Sequence, residues 1–180
     1  MISCDETHAL KMALVHIARG YVGLRETGHN QGELIEKFQK AVDGRASGEP
    51  WCMAAVQYWV KSAQELVESI AMQTLTVQPK LFSTEHCMTA WEKTPRAQRK
   101  QAPEVGDIII WQRWELDRPT QQGHVGLVSR VLSDNTVKCI EGNTVDHSDI
   151  KREGDGVYEI TRIYPLRSGI LRYCGTLSVW

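Results

Sequence analysis

The spacing of apolar residues changes character once along this chain, and that change decides the fold class. In the first half the apolar positions recur at helical intervals, as in Leu10, Ala13, Leu14, Ile17 and Ala18, then Leu34, Ile35 and Phe38, then Val56, Trp59, Val60, Ala63 and Val67. This spacing predicts helices over 8–19, 33–42 and 52 to about 68, the first ended by Gly20. A short fourth helix is expected over 83–91, with Ser83 or Thr84 as its cap. Residues 21–30 and 43–50 read as loops, and 93–101 as a basic, polar loop. From Asp107 onward the runs become short and apolar or alternating, which predicts strands over 107–112, 125–132, 136–140, 157–164 and 169–173. Ser133-Asp134-Asn135 is a hairpin turn signal, and the last strand is placed at the sheet edge. Helices followed by an antiparallel sheet argue an α+β fold rather than alternating α/β. The 180 residues show no repeat or linker, so 1–180 reads as one domain.

Charge and cysteine usage exclude several function classes. The net charge is −1, which gives no footprint for nucleic acid or an anionic membrane surface. The longest apolar runs, such as Ile108 to Trp111, are far too short to span a bilayer, so no membrane insertion is expected. Asp5 and Glu6 interrupt any basic-then-apolar leader pattern, so synthesis in the cytoplasm without a signal peptide is expected, and action beyond it would need release or delivery. The five cysteines are odd in number, widely spaced and without a CxxC pair. They read as reduced thiols rather than a disulfide framework or a zinc site.

One of these cysteines stands apart. In Gly48-Glu49-Pro50-Trp51-Cys52-Met53-Ala54-Ala55, a turn-forming segment leads directly into the third helix. That puts the Cys52 thiol in a first helical turn, where unpaired backbone N–H groups favour the thiolate. Cysteine acyl transfer also needs a base and a group that fixes the base. Gly123-His124-Val125-Gly126 supplies an imidazole at a strand start, and Glu141-Gly142-Asn143 supplies an acceptor on the next strand. Folding the hairpin at 133–135 brings 124 near 144, so Glu141 and Asn143 neighbour His124. The two share strand parity and can face one side, and either can accept the imidazole N–H; Glu141 is preferred. The sequence alone does not bring Cys52 to His124.

Pro50-Trp51-Cys52 before a helix, Val105-Gly106-Asp107-Ile108-Ile109 leading a strand, Gly123-His124-Val125-Gly126 and Glu141-Gly142-Asn143, in this order, resemble the CHAP peptidoglycan hydrolases of the wider NlpC/P60 papain-like peptidases. The resemblance covers roughly 15–165, and Gly23-Leu24-Arg25-Glu26 with Asn30 looks like the lead-in of some members. It implies a papain-like α+β fold, with Cys52 as nucleophile, His124 as general base, Glu141 as orienting residue and Asn143 as a further polar residue of the site. It implies cleavage of an amide bond in peptidoglycan, between muramic acid and L-alanine or within the peptide or cross-bridge. Phage endolysins and secreted antibacterial effectors both fit such a domain, and an immunity or delivery partner is unspecified. Rival readings are a papain-like protease or acyltransferase on another substrate, and an inactive wall-binding module. Some CHAP hydrolases carry an acidic calcium loop; Asp43 alone cannot form such a cage, so no metal and no cofactor is expected.

Tryptophans are more often packing than binding residues. Trp51, Trp111 and Trp114 are nonetheless candidate groove residues, Trp51 most of all because it adjoins Cys52. The segment 114–122, with Arg118, is expected to form a loop walling the cleft. Cys4, Cys87, Cys139 and Cys174 read as inert, Asp107 as a structural strand-start residue, and the histidines at 8, 16, 29, 86 and 147 as surface or structural.

Overall fold

A computed structural model describes residues 4–146, 154–165 and 170–180. Four helices come first: α1 Cys4–Arg19, α2 Glu33–Asp43, α3 Cys52–Ala71 and α4 Cys87–Lys93. A 3₁₀ turn at Arg96–Gln98 leads into the strands β1 Arg99–Lys100, β2 Ile108–Glu115, β3 Arg118–Ser133, β4 Thr136–Thr144, β5 Gly156–Ile163 and β6 Leu171–Leu177. The strands form one antiparallel sheet in the order β1-β6-β2-β3-β4-β5. The fold is α+β, as the change in periodicity predicts.

The boundaries depart from the sequence reading where local chemistry overrides pattern. Thr84 does not cap α4: its Oγ1 accepts the His86 N–H at 3.2 Å, ahead of the helix, which starts at Cys87. Residues 93–101 are not simply a loop, because Arg99 and Lys100 pair with Leu177 and Thr176. That pairing corrects the position of the last strand, which lies between β1 and β2 rather than at the edge. Its first expected residue, Gly169, lies outside the described residues, and the strand runs on to Leu177. Gly175 sits where the Trp91 ring leaves no room for a Cβ, 2.6 Å away, so a glycine forced by packing breaks the apolar pattern that would have revealed the extension. Segment 114–122 is likewise not a loop. It is a β2–β3 hairpin turning at Leu116 and Asp117, both at positive φ (48° and 58°). Two left-handed residues suit a two-residue hairpin turn, but neither is glycine or asparagine, so the turn carried no signal.

Two apolar clusters cover the two faces of the sheet. Ile108, Ile110, Val125, Leu127 and Ile140 join Leu14, Phe38 and Trp59 of the helices in the first. Ile109, Trp111, Val128, Val137 and Cys139 form the second with Tyr164 and Leu171. Burial on both faces explains why 108–111 is a continuous apolar run rather than an alternating one. On the second face the rings of Tyr164, after β5, and Tyr173, on β6, lie 5.5 Å apart although their strands are not neighbours. The sheet therefore curls, with the second face concave.

The start of α3 is locked onto this sheet. A Cβ at Gly142 would lie 2.7 Å from the Trp51 ring and 3.1 Å from Ala55, so only glycine lets the first turn of α3 seat on β4. Asp107, fully buried, accepts from Lys11 Nζ at 2.8 Å and from the Glu104 N–H at 3.1 Å, which ties α1 to the start of β2.

Candidate active site

The segment preceding Cys52 is braced from three sides. Glu26 accepts the Trp51 indole N–H at 2.6 Å with one oxygen and the Asn30 N–H at 2.9 Å with the other. Asn30 Nδ2 donates to the Gly48 carbonyl at 3.0 Å, and Gln39 Nε2 to the Glu49 carbonyl at 2.7 Å. These bonds satisfy backbone carbonyls in the loop and fix where α3 begins. Cys52 is thereby held as the first residue of α3, 6% exposed.

His124 projects from β3 opposite Trp111, its Cα partner on β2, and the two rings stack at 6.2 Å. Its Nε2 lies 2.7 Å from Glu141 Oε2. With Nε2 engaged, Nδ1 is the ring nitrogen left for the thiol, and the imidazole interacts with Cys52. Glu141, fully buried on β4, is gripped at both oxygens by Arg162 of β5: Nε donates to Oε1 at 2.8 Å and a terminal nitrogen to Oε2 at 2.7 Å. A bidentate guanidinium fixes the carboxylate plane, and that plane fixes the ring.

Electrostatics along this line favour a charge-separated pair. A hydrogen bond from Cys87 does most to lower the Cys52 pKa well below the usual thiol range; burial opposes it, while His124 and the Met53 backbone N–H add to it. Burial alone would lower the His124 pKa, but the Glu141 charge and the bond to Cys52 carry it up to about 9. Burial likewise works against the Glu141 carboxylate, and Arg162 and His124 overcome it, holding the carboxyl at about 2. These shifts favour the charged forms together, thiolate, imidazolium and carboxylate.

Asn143 takes a different place. The β4–β5 register shifts between Glu141 and Thr144, and Asn143 adopts a left-handed φ of 52°. The shared parity expected of 141 and 143 is therefore broken by a bulge. Asn143 Oδ1 accepts the Gly154 N–H at 3.1 Å, and the residue lines the pocket above Cys52.

That pocket encloses about 250 Å³ and is bordered by Cys52, Cys87, His124, Glu49, Glu85 and Arg113. Burial first, and then the neighbouring Glu49 carboxylate, pushes the Glu85 pKa up to about 8, so one edge of the pocket is acidic. Arg113, with Gln121 and Gln122, forms another part of the wall; the expected Arg118 is not among the lining residues.

The tryptophan expectations are corrected by burial. Trp51 and Trp111 are fully buried, Trp51 against Phe38 and Trp111 in the second core cluster, so neither ring presents a surface to a ligand. Trp114 borders a separate hollow with Leu116, Asp117 and Ile170, where Arg172 stacks 3.9 Å over its ring. Cys87, read as inert, lies with its sulfur 3.7 Å from that of Cys52. Arg162 was missed, although it follows Tyr158 and Ile160 at strand spacing on a buried face, and a charge there requires a buried partner. His147 lies outside the described residues. Among the described residues no group of three or more His, Cys, Asp or Glu is placed to hold a metal ion, and no helix is long and apolar enough to cross a membrane.

The structure thus defines an α+β domain with a thiol, an imidazole and a carboxylate aligned at a pocket. The chain belongs to the CHAP domain family, which matches residues 44–143 and so contains Cys52, His124, Glu141 and Asn143. Members of that family are generally amidases and peptidases of peptidoglycan. The match is narrower than the 15–165 of the sequence resemblance and leaves out Arg162. No curated protein and no solved structure matches the chain.

Proposed function

We propose that this protein is a cysteine-dependent hydrolase that opens an amide bond of the bacterial cell wall, as an N-acetylmuramoyl-L-alanine amidase or a peptide endopeptidase. The observation that carries the reading is the meeting of Cys52 and His124 at one pocket, with His124 held by Glu141, within a chain of the CHAP family.

The Cys52 thiolate attacks the amide carbonyl carbon, and the carbonyl oxygen takes up negative charge. The N–H of Cys52, one of the unpaired first-turn groups of α3, serves as a donor to that oxygen. The His124 imidazolium gives its proton to the leaving amine and, once neutral, accepts one from the water that attacks the thioester. Glu141, fixed by Arg162, holds the ring through Nε2 in both steps. Asn143 serves at the pocket wall rather than on the imidazole. Release as a phage endolysin or delivery as an antibacterial effector would bring the enzyme to the wall.

Digestion of purified peptidoglycan followed by mass spectrometry of the fragments tests this reading. New amide-cleavage products are expected from the native protein and none from Cys52→Ala. Products that persist in the variant would remove Cys52 from the mechanism.

A further inference from the structure

Cys87 forms and breaks no bond in the hydrolytic steps, yet it is in sulfur–sulfur contact with the nucleophile. The two side chains come from different helices, 35 positions apart, and meet at 3.7 Å between Sγ atoms. Both residues border the same pocket, so a small reagent that reaches one sulfur reaches the other. Both are free thiols, and among the described residues they are the pair of cysteines in contact. The two sulfurs need to close from 3.7 Å to the roughly 2.0 Å of a disulfide.

We propose that Cys52 and Cys87 form a reversible disulfide under oxidation by a hydroperoxide, with Cys52 the attacking and Cys87 the resolving thiol, and that this bond switches the site off. The Cys52 thiolate attacks the terminal oxygen of the hydroperoxide. An S–O bond forms, the O–O bond breaks, and an alkoxide (hydroxide from hydrogen peroxide) leaves. The Cys87 sulfur then attacks the Cys52 sulfur. An S–S bond forms, the S–O bond breaks, and the departing hydroxide takes the Cys87 proton to become water. The two sulfurs have lost two electrons and the peroxide has gained them. A dithiol reductant reverses the bond by exchange and restores both thiols.

The environment suits this division of roles. The bond that lowers the Cys52 pKa is also what raises that of Cys87 well above the usual range, with burial adding to the rise. Thiolate character therefore resides on Cys52, the residue that must react first. Once Cys52 carries oxygen it no longer holds the charge that kept Cys87 protonated, and the second thiol is released to act. Cys87 also protects the nucleophile, because a sulfenic acid captured as a disulfide is not carried on to the irreversible acids.

The loss of hydrolysis rests on the function proposed above; formation of the bond does not. The full chain is treated with hydrogen peroxide, remaining thiols are alkylated, and the unreduced protein is digested and mapped by mass spectrometry. A cross-linked peptide joining Cys52 and Cys87 is expected, lighter by two hydrogens than the separate peptides, together with loss of wall hydrolysis that dithiothreitol restores. Cys87→Ser is expected to recover little of its own untreated activity and to carry Cys52 as sulfinic acid, whereas Cys174→Ser recovers as the native chain does. Cys52 and Cys87 found separately alkylated, or Cys52 found as sulfinic acid in the native chain, would overturn the proposal. A protein that forms the cross-link but never hydrolyses peptidoglycan would leave the reversible bond standing and remove the proposed function instead.

Discussion

Glu141 accepts from Arg162 at both carboxylate oxygens and meets His124 Nε2 at 2.7 Å with one of them. A single buried carboxylate thus orients the imidazole and neutralises the guanidinium. Removing it affects catalysis and folding together. Glu141→Gln is expected to lower kcat by on the order of 10²–10⁴-fold, because the ring loses its charged anchor. Glu141→Ala removes the carboxylate that two Arg162 nitrogens grip and is expected to cost about 3–5 kcal/mol in denaturant unfolding.

The same carboxylate predicts how stability responds to acid. Its pKa falls from 4.5 to about 2 on folding, so its contribution is present above about pH 4.5 and is lost as pH falls toward 2. The native chain should lose roughly 3 kcal/mol across that window from this group. Unfolding curves of Glu141→Gln should lack that part of the slope.

Cys52 and His124 predict the pH profile of hydrolysis. The active form is thiolate beside imidazolium, so kcat/KM should rise through the lowered Cys52 pKa, well below the ordinary thiol range, and fall as His124 loses its proton near pH 9. Replacing Cys87 by alanine removes the bond that does most to lower the Cys52 pKa, and the acid limb should move to higher pH. A profile of Cys87→Ala that superimposes on the native one would contradict this role.

Asn143 distinguishes a pocket residue from an orienting one. It lies off the imidazole at a left-handed bulge, holding the Gly154 N–H. Asn143→Ala is expected to destabilise the chain by about 1 kcal/mol, through the lost hydrogen bond and the strained φ, and to raise KM more than it lowers kcat. A kcat loss equal to that of Glu141→Gln would make Asn143 the orienting group.

Gly142 predicts a coupling between packing and chemistry. A methyl group there would press on Trp51, directly before the nucleophile. Gly142→Ala is expected to cost about 1–3 kcal/mol in thermal or chemical unfolding and to reduce activity, although residue 142 contributes no chemistry itself.

The fold class was legible because helical spacing and strand runs occupy separate halves of the chain. Hairpin counting at 133–135 also placed Glu141 beside His124, since a short turn leaves few registers. What escaped depended on contacts between distant segments. The turn at Leu116-Asp117 uses residues that rarely adopt left-handed backbone, and the run of β6 past Gly175 follows from packing under Trp91. The bulge at Asn143 breaks the alternation that parity assumes. Cys87 meets Cys52 only because α4 packs on β2 and β3 with its first residue toward the start of α3, and no spacing within either helix encodes that. Trp51 adjoins the nucleophile in sequence, but its bond to Glu26 turns it into the core. Arg162 alone left a usable signal, a charge in a row of buried positions.

The central claim is that Cys52 attacks a wall amide, and trapping the acyl intermediate tests it most directly. Native protein mixed with purified peptidoglycan fragments and quenched in acid within the first turnover should yield a Cys52 peptide carrying the added mass of the acyl half of the substrate. The adduct should be absent from Cys52→Ala and longer-lived in His124→Ala wherever it forms. An acyl adduct on another residue, or cleavage of the fragments by Cys52→Ala at the native rate, would contradict the account.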